Sequence, residues 1–238
     1  MSNRLTDQRV LVIGGSSGIG EATALQTAQA GAQVTIASRS LERLADALRR
    51  LPPGVTSAAL DASDADDVAT FFRAGASWDH VVVSASSTRT GPARSLPMSD
   101  AQAAMQSKFW SAYHVGRSAR IAAGGSLTFV SGVYSVRPSP TAVLQGAINA
   151  ALEALARGLA LELAPAVRVN AVSPSTTETP LWDRLGAGKA DKFAVMTARL
   201  PVACIAQPGD IAAAILFLAA NPFATGSTLL IDGGDALA

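Results

Sequence analysis

Charge is scarce in this chain of 238 residues: 16% are Asp, Glu, Lys or Arg, and 19 basic against 18 acidic side chains leave a formal charge of +1. So balanced a surface has no net field to hold a polyanion, and no nucleic-acid partner is expected. Cysteine is nearly absent. Cys204 stands alone, which excludes an internal disulfide and a thiolate zinc cage, and the lone thiol is read as a packed residue in a reducing compartment. Histidine is as sparse: His80 and His114 lie far apart without companion ligands, so no metal is expected. Long apolar runs are missing too. Residues 81–83 and 211–220 fall well short of the ~18 residues of a membrane span, and Met1-Ser2-Asn3-Arg4 lacks an apolar signal core, so the expectation is a soluble cytoplasmic protein without a membrane partner. What is plentiful is apolar side chain, at 49% of residues, enough for a large core and outside the composition of disordered chains.

Residues 9–13 form a β-rich apolar run that stops at Gly14-Gly15-Ser16-Ser17-Gly18-Ile19-Gly20, followed by a helix-forming stretch at 21–30 and a helix stop at Gly31. Strand, glycine turn and helix in that order let backbone N–H groups approach a pyrophosphate, because glycine has no Cβ in the way and the helix N-terminus favours an anion. The next strand, 33–37, runs into Ser38-Arg39, where dinucleotide-binding folds discriminate at the ribose. An acid there would hold a 2′-hydroxyl. Arg39 instead offers a fork for a 2′-phosphate, with Ser38 and Ser16 as further donors, which favours NADP(H) over NAD(H); the alternative is a solvated surface arginine.

Downstream, strand and helix patterns alternate: helix near 41–50, strand 57–60, helix 65–74, strand 80–84, a long helix from about 100 to 122, strand 126–130 and a second long helix from about 142 to 163. No linker, internal repeat or low-complexity tract interrupts them. Alternating βαβ units predict one α/β domain over 1–238, a doubly wound Rossmann-type parallel sheet with helices on both faces. Residues 180–200 read as a small insertion placed to close over a substrate, with Leu181, Trp182, Phe193 and Met196 as an apolar wall, or as a surface excursion.

The glycine spacing resembles that of the short-chain dehydrogenase/reductase family, with Ile13 in place of the usual threonine, and the resemblance extends from about Asp7 to Gly234. Residues 60–64 resemble the adenine-contacting segment, which makes Asp61 and Ala62 cofactor candidates, a helix N-cap being the alternative for Asp61. Residues 167–174 and 226–234 are similar to the family's sixth and seventh strands. With Ser84 and Ala85 after the fourth strand, and Pro174, Thr176 and Thr179 after the sixth, the candidate cofactor set is Gly14, Ser16, Ser17, Gly18, Ile19, Gly20, Ser38, Arg39, Asp61, Ala62, Ser84, Ala85, Pro174, Thr176 and Thr179. The resemblance also implies a homodimer or homotetramer through the two long helices, the small residues at 146–156 permitting close approach.

The family's catalysis rests on a serine, a tyrosine, a lysine and an asparagine, and here the pattern departs. Ser131, or Gly132 one register on, occupies the serine region. Gln145 and Asn149 stand where the tyrosine and lysine belong, and neither amide can act as a general acid or supply a positive charge. Lys108 stands where the family has its asparagine, as a displaced cation or proton donor or as a helix lysine with another role. Tyr134 is the phenol nearest the expected site and a candidate replacement acid. The candidate catalytic set is therefore Ser131, Lys108, Tyr134, Gln145 and Asn149. The function this implies is an NADP(H)-dependent oxidoreductase acting on a carbonyl or alcohol through a non-standard proton relay; the alternative is an NADP(H)-binding sensor or regulator that has lost redox chemistry.

Overall fold

The computed structural model describes residues 4–86 and 88–238; residues 1–3 at the chain start and Ser87, in the serine-rich segment after the fourth strand, lie outside the described residues. Seven strands, β1 (Arg9–Ile13), β2 (Gln33–Ser38), β3 (Thr56–Ala59), β4 (Trp78–Val83), β5 (Ile121–Val130), β6 (Arg168–Pro174) and β7 (Thr228–Ile231), form one sheet in the order β3-β2-β1-β4-β5-β6-β7. All its pairings are parallel. The helices are α1 (Gly18–Gln29), α2 (Leu41–Leu48), α3 (Ala65–Ala74), α4 (Met98–Ala104), α5 (Ser111–Ser118), α6 (Val143–Glu162), α7 (Gly188–Arg199) and α8 (Pro208–Ala220).

Parallel strands in such a sheet are buried on both faces, and alternate residues of β1 divide between two cores. Leu11 and Ile13 pack with Val68 and Phe72 of α3, Val115 of α5 and Leu152 of α6. Val10 and Val12 pack on the other side with Ala24 of α1, Leu44 of α2 and Ile215 of α8. Truncating a fully buried leucine in either layer costs about 2–5 kcal/mol. The strand order reverses between β1 and β4, whose last residues Ile13 and Val83 lie in register. A crevice opens beyond the carboxyl ends of strands at such a switch point, and ligands of doubly wound sheets bind there.

The expected helix from about 100 to 122 is shorter and irregular. Its helical course ends at Ser118, and Ile121 already pairs with Trp78 in the sheet. Strand pairing overrides the helix propensity of the alanines that follow. Between α4 and α5 the chain makes a π-helical turn, Met105–Trp110, and Ser111 Oγ donates to the carbonyl of Gln106, five residues back. One widened turn rotates the side chains it carries relative to a regular helix, and Lys108 is buried as a result. Residues 180–200 form a 3-10 turn, Pro180–Leu185, followed by α7. No helix among the described residues is long and apolar enough to cross a membrane.

Candidate active site

At the cofactor end the backbone makes the site. A Cβ on Gly20 would lie 2.2 Å from the carbonyl oxygen of Gly14, and Gly18 has φ +55°, so the turn between β1 and α1 can close only with glycine at those points. Ser17 sits at the helix N-cap in extended conformation without a side-chain capping bond, which leaves the first-turn N–H groups of α1 to face an anion. Ser84 N donates to Ile13 O at 2.9 Å, tying the loop of Ser84 and Ala85 to the turn. Ser16 and Ile19 are half-buried within it.

Arg39 follows β2, is exposed, and makes no side-chain hydrogen bond or ion pair among the described residues. Ser38 Oγ beside it makes one long contact, 3.4 Å to Ser40 O. Asp61 accepts from Ser63 N at 3.0 Å and Ser63 Oγ at 2.6 Å. The N-cap alternative falls to Asp64, which accepts from Asp66 N and Asp67 N at the start of α3. Residues 61–63 are held by the helical segment before β5: Gln106 Nε2 donates to Ser63 O at 2.6 Å, and His114 Nδ1 lies 3.2 Å from Ala62 O.

At the other end the site is made of side chains. Lys108 Nζ donates to Asn149 Oδ1 and to Ser131 O, each at 2.7 Å. Burial pushes its ammonium down to about 8, against the opposing pull of the Glu153 carboxyl. Asn149, Ser131 and Glu153 are buried as well. Gln145 Nε2 also approaches Asn149 Oδ1, at 3.4 Å. Because an ammonium only donates, Asn149 must turn its oxygen to Lys108, and its NH2 group is the free donor. That NH2 nitrogen lies 2.8 Å from where a Cβ on Gly132 would be, so the volume of a side chain at 132 is filled by the Asn149 amide. Ser131 turns elsewhere: its buried hydroxyl donates to Glu153 Oε1 at 2.7 Å. Of the two serine-region positions it is Gly132 that faces Asn149. Tyr134 stands half-buried in the 3-10 turn Val133–Ser135.

The sequence reasoning passed over Glu153, although Gln145, Asn149 and Glu153 recur every fourth residue and so share one face of α6. It also passed over Asp235. That buried carboxylate pairs with the Arg137 guanidinium at 2.9 Å, accepts from Arg199 at 2.8 Å and takes the hydroxyl of Ser175, joining the loop before α6, the end of α7 and the loop after β6. Pro174 ends β6. In the loop that follows, Thr176 Oγ1 lies 3.5 Å from Met196 Sδ, Trp182 Nε1 donates to Thr177 O at 2.9 Å, and the Thr179 side chain abuts Gly18. Met196 of α7 and Trp182 of the preceding turn thus both contact the loop after β6. Among the described residues no group of His, Cys, Asp and Glu could hold a metal.

This sheet order, glycine turn and crevice define a dinucleotide-binding α/β protein. The family described as enoyl-(acyl carrier protein) reductase matches residues 14–235. D-erythrulose reductase from Gallus gallus is 31% identical over 235 residues, covering 95% of each chain. Among solved structures, a reductase/Diels-Alderase from Malbranchea aurantiaca is 29% identical with TM-score 0.90, covering 100% of this chain and 99% of that one. An NADPH-bound short-chain oxidoreductase from Pseudomonas aeruginosa PAO1 containing an atypical catalytic center is 29% identical with TM-score 0.89, covering 97% of both. The chain belongs to the short-chain dehydrogenase/reductase family of nicotinamide-dependent oxidoreductases.

Proposed function

We propose that this protein is an NADP(H)-dependent oxidoreductase of carbonyl or alcohol substrates whose catalytic cation is Lys108. The observation that carries this reading is the exchange of partners between two helical segments. The family pairs an asparagine on the first long helix with a lysine on α6; here Lys108 and Asn149 occupy those places in reverse and meet at 2.7 Å. On this reading the site keeps a buried positive charge, delivered from the π-helical turn instead of from α6.

The residues present suit the cofactor. The N–H groups of the 14–20 turn and Thr179 would hold the pyrophosphate, Asp61 and Ala62 the adenine end, Thr176 the carboxamide, and the unpaired Arg39 with Ser38 and Ser16 the 2′-phosphate, whose charge favours NADP(H). When bound, NADP(H) supplies or accepts the hydride. Reduction of a carbonyl leaves negative charge on its oxygen, and the protein must stabilise it. The Asn149 amide N–H, in the volume a serine at 132 would fill, donates to that oxygen. Lys108 holds a proton at Nζ directly behind it, and a group that ionises near 8 both keeps its charge at neutral pH and can release its proton. Gln145 fixes the Asn149 oxygen, and Tyr134, half-buried in the 3-10 turn after β5, is the phenolic candidate, which Lys108 makes dispensable. Residues 180–200 close over the substrate and exclude water.

Fluorescence titration with NADPH and NADH, followed by a carbonyl and alcohol panel in both directions, tests this. Tight NADPH binding with turnover that Lys108→Met abolishes and Tyr134→Phe retains is the expected result. Binding without turnover across the panel favours the sensor reading, and failure of both nucleotides to bind rejects the assignment. Sedimentation of the same protein tests the homo-oligomer expected through α5 and α6.

A further inference from the structure

Glu153 is a carboxylic acid buried on α6, one helical turn beyond Asn149. Burying a carboxylate costs several kcal/mol unless it is bonded and balanced by a charge. Its bond is to Ser131 Oγ at 2.7 Å. The carbonyl of the same Ser131 receives Lys108 Nζ at 2.7 Å. One residue thus links a buried anion to a buried cation, through its side chain on one side and its backbone on the other.

The other charges on the elements packed on this network are engaged elsewhere or exposed: Arg137, just past the 3-10 turn against α6, pairs with the buried Asp235 at 2.9 Å. Asp100 of α4 faces Arg89 at 3.7 Å. Along α5, His114 lies against Ala62 O and Tyr113 and Trp110 stack edge to face, while Arg117 lies in the last turn. On α6 itself Arg157 and Glu162 are exposed. Arg168 at the start of β6 donates to the carbonyls of Leu218, Ala219 and Ala224, and Tyr134 stands at the rim. The Glu153 carboxylate is the one charge that acts against the desolvation of Lys108.

We propose that Glu153 is a positioning residue of the site: through Ser131 it holds the Lys108 ammonium in place against Asn149, and its carboxylate is the counter-charge of that buried ammonium. Glu153 supplies this counter-charge from the same face of α6 as Asn149. This rests on Lys108 being the cation of the site, and it is tested without cofactor or substrate so that the two can fail separately.

Lys108, Lys189 and Lys192 are the only lysines of the chain, so protein labelled with 13C at lysine Cε gives a spectrum in which Lys108 can be followed through a pH titration and assigned by its loss in Lys108→Met. Wild-type Lys108 is expected to titrate near 8. In Glu153→Gln, which keeps the size of the side chain and loses the charge, the midpoint is expected to fall by about one unit or more, with Lys189 and Lys192 unmoved, and Glu153→Asp is expected to restore most of the shift. Ser131→Ala, which cuts the link and leaves the charge, should lower the midpoint by about half a unit, and decides the matter alone if Glu153→Gln does not fold. A Lys108 midpoint unchanged in Glu153→Gln, or in Ser131→Ala where only that variant folds, overturns the inference. Failure of NADPH to bind while these shifts appear would instead overturn the functional reading and leave Glu153 in its role.

Discussion

The two ends of the crevice are built from different materials. The nucleotide end is backbone: a turn in which a Cβ at position 20 would stand 2.2 Å from a carbonyl oxygen, so its residues are fixed by space and cannot be exchanged piecemeal. The candidate catalytic end is side chain: an ammonium, two amides, a hydroxyl and a carboxylate on the π-helical turn, on α6 and after β5, held by bonds of 2.7 Å and, for Gln145, of 3.4 Å. A side-chain site can be rebuilt from other positions so long as the charges land in the same place. On the function proposed above, this is how the glycine spacing persists in a chain that has Gln145 and Asn149 where the family resemblance places a tyrosine and a lysine.

Gly20→Val attacks the first kind of construction and should have the largest effect. With the Gly14 carbonyl in the way and no neighbouring side chain to give, the turn must open, at a cost of about 3 kcal/mol or more by analogy with overpacked cores. Denaturant unfolding should show that loss, and NADPH binding should fall below detection. A variant that binds NADPH normally would mean that the turn is not the pyrophosphate site.

The Lys108 and Asn149 exchange attacks the second kind. The unfolded lysine titrates at 10.5 and the folded one near 8, so between those values the unfolded state binds more protons and stability rises with pH; below 8 both states are protonated and this contribution is flat. The shift corresponds to roughly 3 kcal/mol. The difference in unfolding free energy between wild type and Lys108→Met should therefore vary across pH 8 to 10.5 and be constant below. Reversing the pair completes the test: Lys108→Asn and Asn149→Lys should each be damaging alone, and the double variant should recover stability, with a coupling of about 1–3 kcal/mol. Additive effects would show that the two positions do not share one cation.

Sequence patterns made the nucleotide end legible and the catalytic end only half so. Glycine announces its own backbone requirement, and the alternating apolar runs gave the sheet order's raw material, with α3 matched at both ends. Side-chain direction is a different matter. Ser131 and Gly132 are neighbours in an extended segment, so one points at Glu153 and the other at Asn149, and a register of one residue decides between them. The burial of Lys108 depends on the π-helical turn, which apolar periodicity does not reveal. Glu153 was readable as the third polar residue of an i, i+4, i+8 series that runs down one face of α6 from Gln145.

Arg39→Ala probes the nucleotide end where it does use a side chain. Loss of a charge-assisted bond to phosphate costs about 1.5–3 kcal/mol, so NADPH affinity should drop roughly 10- to 100-fold while NADH, without the 2′-phosphate, should be little changed. Equal losses for both nucleotides would place Arg39 outside the 2′-phosphate site.

Gln106 joins the two ends. It lies in the same π-helical turn as Lys108 and donates to Ser63 O at 2.6 Å, on the segment that carries Asp61 and Ala62. Because Gln106 is exposed, water can replace its bond, and Gln106→Ala should cost only about 0.5–1 kcal/mol. That loss acts on the adenine end alone, so affinity for NADPH and NADH should fall together by about 2- to 5-fold, in contrast to the selective loss at Arg39. If the Lys108 Cε signal also shifts in this variant, the two ends are mechanically coupled through the turn; if it does not, the rebuilt catalytic cluster stands on its own bonds to Asn149 and Ser131.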